Sequence, residues 1–143
     1  MTTPTLLLAI DPGRAKCGLA VVRGPLAPGA APACLLRRVV ETARLTREVA
    51  ALLQLWPDTE RILLGNATHS ATLRKALAAA FPNLPITLVD EHGTSARARL
   101  RFNQENPAPG WRRLLPASMR TPEVPYDDYA ALLLAEDYFG KLT

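Results

Sequence analysis

The sequence is poor in the residues that staple small proteins or wire them to metals. It holds two cysteines, Cys17 and Cys34, and two histidines, His69 and His92. The cysteines show no metal-site spacing, which argues against a thiolate metal site. No apolar run approaches the ~18 residues that span a membrane, so no membrane partner is expected. The start of the sequence lacks the basic segment and long apolar core of a secretory signal, and a cytoplasmic location is expected. In that compartment both thiols stay reduced. There is no internal repeat, no low-complexity segment and no Walker A phosphate loop.

What is present is the composition of an ordinary globular chain. At 143 residues and 48% hydrophobic content, it can bury one core, and a single domain over residues 1–143 is expected. A net charge of +4 with a pI near 9.5 is compatible with a nucleic-acid partner.

The chain is organised around Leu6–Val22, LLLAIDPGRAKCGLAVV. The short apolar run Leu6–Ile10, ended by Asp-Pro-Gly, reads as a buried strand. Pro12 and Gly13 turn the chain, and Gly18–Val22 returns as a hairpin partner. Asp11 is thereby fixed at a strand end. Such a carboxylate either holds a hard divalent cation or is only a turn residue.

After a Gly/Pro-rich hairpin loop over residues 24–32, Ala33–Glu41 forms a third strand. Cys17 and Cys34 then fall at opposite ends of one ladder, expected buried and unbridged. Leu45–Trp56 has helical periodicity, Arg61–Gly65 is a strand, and Ala71–Phe81 is a second helix stopped by Pro82. Pro85–Val89 is a fifth strand, and Thr94-Ser95 cap a third helix reaching about Phe102. Asn103–Pro125 is broken repeatedly by proline and reads as irregular. Tyr126–Phe139 is a final helix, apolar on every side from Tyr129 to Ala135, and so buried against the sheet. The expected fold class is α/β, a mixed five-stranded sheet with three antiparallel strands, then two parallel ones, and helices on both faces.

In such a sheet Asp11 and Glu91 both follow strands and emerge at one edge, where open α/β sheets bind ligands. Asp127 and Asp128 open the final helix and bring a third carboxylate. Taken singly these are ordinary first-turn or strand-end acids. Together they repel unless a divalent cation sits among them. Asp127 and Asp128 stand about 100° apart on a helix, so one of the two faces the site.

These residues resemble the YqgF/RuvX family, relatives of the RuvC Holliday-junction resolvases within the RNase H-like superfamily. The resemblance rests on Ala9-Ile10-Asp11-Pro12-Gly13 with Gly18-Leu19-Ala20, on Val89-Asp90-Glu91 followed by Thr94-Ser95-Ala96, and on Asp127-Asp128-Tyr129-Ala130-Ala131. It implies an RNase H-like sheet, a catalytic triad of Asp11, Glu91 and Asp127 binding Mg²⁺ or Mn²⁺, and Asp128 as a reserve ligand. The implied activity is metal-dependent phosphodiester hydrolysis in precursor ribosomal RNA (pre-16S) processing, with junction resolution or single-strand cleavage in DNA repair as the alternative. The chain departs from the family at Lys16-Cys17, at Gly65-Asn66-Ala67-Thr68-His69 and at His92.

Basic residues gather where a substrate would pass. Arg14 and Lys16 adjoin the Asp11 edge. Arg97 and Arg101 share a helix face, and Thr94 stands at that helix start. Arg112, Arg113 and Arg120 lie in the proline-rich segment with Trp111, a set that suits phosphates and a stacked base. His69 and His92 are either surface residues or proton carriers at the same edge. The expected partners are RNA or DNA, single-stranded or branched, and the chain a monomer or weak homodimer. Two other classes stay open: a non-cleaving nucleic-acid-binding module and an ATP-binding domain.

Overall fold

The computed structural model describes residues 5–24, 32–66, 70–90, 97–98, 100–101, 104 and 127–141, with residues 127, 140 and 141 described by backbone alone. Its elements are β1 (Leu6–Asp11), β2 (Lys16–Arg23), β3 (Ala33–Glu41), a 3₁₀ turn (Thr42–Arg44), α1 (Leu45–Leu55), β4 (Arg61–Gly65), α2 (Ser70–Ala80), β5 (Ile86–Val89) and α3 (Asp127–Lys141). The five strands form one sheet in the order β3-β2-β1-β4-β5. β1, β2 and β3 pair antiparallel, and β4 and β5 continue parallel to β1. This is the mixed sheet that the sequence pattern implies.

Period-two alternation sorts β1 between two cores. Leu6, Leu8 and Ile10 join Leu19, Val21, Ile62 and Leu64 under α1 and α2. α1 supplies Leu45, Val49 and Leu52 to that layer, at i, i+4 and i+7. Leu7 and Ala9 face the other way, with Ala20, Val22 and Leu63, and are covered by Ala131, Leu132, Leu134, Ala135 and Phe139 of α3. Ala9 and Ala20 are direct partners in the ladder. Two small side chains there let α3 approach the sheet closely. Every residue from Tyr129 to Ala135 is buried, as an all-apolar helix requires. Helical residues 97, 98, 100, 101 and 104 belong to the expected third helix, and its Ala98 packs on Tyr129, Ala130 and Leu133.

The uneven patterning of β3 has a local cause. Val21 pairs with Leu36 but Val22 pairs with Cys34, so Leu35 is the extra residue of a bulge. A bulge leaves one residue unpaired and shifts the alternation, and Leu35 is correspondingly exposed.

The expectation for Cys34 needs correcting. Cys17 is buried, but Cys34 is exposed, because β3 is an edge strand and Cys34 lies near its outer end. The two cysteines do sit at opposite ends of the ladder, paired with Val40 and Val22. The hairpin-loop residues 25–31, the start of the third helix and residues 105–126 lie outside the described residues. Among the described residues no helix is long and apolar enough to cross a membrane.

Candidate functional site

β1, β4 and β5 run the same way, so their carboxyl ends share one edge of the sheet. Asp11 is the last residue of β1, one step past the Ile10–Leu64 pair. Gly65 ends β4 at that level and pairs with Val89, the last residue of β5. Asn66 donates its backbone N–H to the Val89 carbonyl at 2.8 Å and closes the ladder there. By alternation Asp11 belongs with Leu7 and Ala9 on the face that α3 covers. Its ladder partner on β2 is Gly18, and its neighbour on β4 is Gly65. Neither has a side chain, which leaves room beside the partly buried Asp11.

The turn after Asp11 is held from outside the hairpin. Thr42 Oγ1 donates to the Gly13 carbonyl at 2.7 Å, and Thr42 N–H donates to the Ala15 carbonyl at 2.9 Å. The Cys17 thiol lies 3.3 Å from Thr42 Oγ1. A Cβ on Gly13 would stand 2.1 Å from the Lys16 carbonyl oxygen, so glycine is required here for space. Arg14 and Lys16 lie exposed in and just after this turn, beside the edge, where the sequence placed them.

α3 delivers the second acidic element to the same face. Its first turn contains Asp127 and Asp128. Asp128 is half-buried, and its carboxylate accepts the Tyr129 backbone N–H at 3.0 Å. Burial raises the Asp128 carboxyl above the usual carboxylate range, opposed by the Arg37 guanidinium and by that backbone hydrogen bond. Arg37, on β3, stands 3.9 Å above the centre of the Tyr129 ring. Asp128 is therefore engaged toward β3, two strands from Asp11's own strand β1. Position 127 precedes the sheet-packed Ala131 and Leu134 by four and seven residues, on one helical stripe.

Glu91, His69, His92, Thr94, Trp111, Arg112, Arg113, Arg120 and the side chain of Asp127 lie outside the described residues. Val89 and Asp90 bring the chain to the Asp11 edge immediately before Glu91. Among the described residues no three acids, histidines or cysteines cluster around a metal position. The described part of the site nevertheless fits a hard cation: its donor is a carboxylate oxygen fixed on a central strand, with glycines on both sides.

Arg97 and Arg101 prove to be engaged within the protein. Arg97 binds both carboxylate oxygens of Asp137, at 2.9 and 3.0 Å, and Arg101 pairs with Glu136. These contacts tie the 97–104 helical residues to α3. Sequence reading missed Arg37, whose partners Tyr129 and Asp128 lie some ninety residues away; a lone arginine in a strand gives no signal of such pairing.

No known family's sequence model matches the chain, and no curated protein matches it in sequence. Solved structures do match in shape. Thermus thermophilus RuvC superposes with a TM-score of 0.62 at 14% identity, covering 96% of each chain. The same protein in complex with a Holliday junction substrate gives 0.61 at 17% identity, again over 96% of each. The fowlpox virus Holliday junction resolvase gives 0.66 at 13% identity, over 97% of this chain and 100% of the resolvase. The fold of this chain is the RNase H-like α/β fold of these RuvC-like resolvases.

Proposed function

We propose that this protein is a divalent-metal-dependent nuclease of the YqgF/RuvX kind that hydrolyses phosphodiester bonds. The observation that carries the reading is the convergence at one sheet edge. Asp11 ends β1 on the face covered by α3, level with the ends of β4 and of β5, which leads to Glu91. In this reading Asp11, Glu91 and Asp127 hold Mg²⁺ or Mn²⁺. Asp127 is favoured over Asp128 because Asp128 is already engaged by the Tyr129 N–H and by Arg37. Divalent cations among such carboxylates supply Lewis acidity at a phosphate oxygen. Asp11 contributes a carboxylate donor placed at the end of a central strand, while Arg14 and Lys16 orient the neighbouring phosphates. Thr94, Trp111, Arg112, Arg113 and Arg120 complete the substrate contacts. Arg97 and Arg101 contribute mainly by holding their helix on α3.

The substrate we favour is precursor 16S ribosomal RNA, processed in the cytoplasm by a monomer or weak homodimer. This choice rests on the resemblance of the sequence motifs to the YqgF/RuvX family. A second reading, junction resolution, is favoured by the Thermus thermophilus RuvC neighbour solved with a Holliday junction substrate. One assay separates them: cleavage in Mn²⁺ of single-stranded RNA, single-stranded DNA and a four-way junction, by wild type and Asp11→Asn. RNA-selective cleavage that the variant lacks supports rRNA processing, and symmetric junction cutting supports the second reading. Binding without cleavage of any substrate would replace both with a non-cleaving module.

A further inference from the structure

Three surface cavities are described, and their charge differs. One, of about 330 Å³, is bounded by Arg38, Arg44, Glu41 and Glu48. Its cations are neutralised, since Arg38 pairs with Glu48 at 3.0 Å and Arg44 with Glu41 at 3.6 Å. A second, of about 360 Å³, lies at the opposite end of the sheet among Leu53, Pro57, Phe81 and Leu84 and holds no charge. The third and largest, about 540 Å³, runs between α2 and the edge strand β5. It is bounded by Asn66, Ser70, Arg74, Lys75 and Leu88, with no acid among its lining residues.

This groove is built by helical spacing. Ser70, Arg74 and Ala78 recur every four residues, and Ala71 precedes Lys75 by four, so all five share one stripe of α2. The alanines keep the floor low between the two long cations. Among the described residues neither Arg74 nor Lys75 has an ion-pair partner, whereas Arg38, Arg44, Arg97 and Arg101 all do. Leu88 on the opposite wall is 40% exposed, an apolar surface facing two cations. The groove lies on the face opposite α3 but opens at the same end of the sheet as Asp11. Asn66 follows Gly65, which ends β4 beside Asp11 on the adjacent strand, about 4.8 Å away across the sheet.

We infer that this α2–β5 groove is a second nucleic-acid subsite, which holds the phosphate backbone of a single strand as it leaves the Asp11 edge. Arg74 and Lys75 bind phosphates, the exposed Asn66 donates to backbone oxygens, and Leu88 packs on a sugar or base. The chemistry suits a flexible polyanion with apolar faces: paired cations and an apolar wall in an open channel. The inference rests on the nuclease reading for its placement, but its test does not require cleavage.

The test is binding of single-stranded RNA and DNA oligonucleotides to the full chain in chelator, across a salt series. The double variant Arg74→Ala/Lys75→Ala is compared with wild type and with Arg44→Ala/Arg47→Ala, which removes equal charge from the α1 side. Alanine is the best helix former, so α2 should persist, and circular dichroism checks it. Loss of two phosphate contacts lowers the salt slope by about 1.4 and affinity about tenfold at low salt. The control variant should stay within about twofold of wild type. Equal weakening in both variants, or unchanged affinity in the groove variant, would overturn the subsite. Selective weakening together with a wild type that never cleaves would keep the subsite and remove the nuclease reading. Normal cleavage with an unaffected groove variant would do the reverse. A wild type that binds neither strand removes the subsite and leaves the nuclease reading to the cleavage assay.

Discussion

The Arg37 guanidinium sits 3.9 Å above the centre of the Tyr129 ring, fastening the outer strand of the sheet to the first turn of α3. The same turn contains both candidate acids of that helix, so this contact fixes the backbone that presents them. Arg37→Ala should destabilise the protein by about 1 kcal/mol, read as a lower urea midpoint at constant m-value. An unchanged midpoint would show that α3 is held at this end without the contact.

Asp11→Asn should abolish metal-dependent cleavage and leave the fold intact. The side chain keeps its shape, and the residue lies at the end of β1 rather than in either core. Mn²⁺ should raise the melting temperature of wild type and leave that of the variant unmoved, which gives a reading independent of turnover. Cleavage at the wild-type rate would remove Asp11 from the site.

The two acids of α3 should separate on mutation. Asp127→Asn should lower cleavage by at least about 100-fold, while Asp128→Asn should stay within about tenfold. The difference arises because the Asp128 carboxylate already accepts the Tyr129 N–H and faces Arg37. The opposite ranking would make Asp128 the ligand.

The Gly13 turn should tolerate almost nothing. Gly13→Ala drives a Cβ into the Lys16 carbonyl and should cost about 1–3 kcal/mol. Thr42→Val removes the hydroxyl that donates to Gly13, at about 1 kcal/mol. At matched folded fraction both should also slow cleavage more than a core change far from the edge, such as Leu52→Ala. Equal activity in all three at matched folded fraction would separate the turn from the site.

How far the sequence predicts this molecule depends on whether a signal is local. The Ala33–Glu41 and Arg61–Gly65 strands have the expected bounds, because apolar runs and their turn residues lie side by side in the chain. α1 and α2 differ from expectation by a residue at one or both ends, as fraying helix termini do. Cys34 was misplaced because edge exposure depends on strand order, which no short window contains. Arg97 and Arg101 looked like open cations, since Asp137 and Glu136 lie 40 and 35 residues away. Nothing local marked Arg74 and Lys75 either: the groove they line with Leu88 forms only where α2 packs beside the edge strand β5.

β1 and α3 stand at opposite ends of the order of elements, yet α3 lies directly on β1 and β2. During synthesis the strands Leu6–Asp11 and Lys16–Arg23 emerge long before Asp127–Lys141, and their Leu7, Ala9, Ala20 and Val22 face stays uncovered meanwhile. A partly made chain thus carries a sticky sheet and an incomplete acidic site. If the chain cuts nucleic acid, cutting cannot begin until α3 has been made and has docked on β1 and β2.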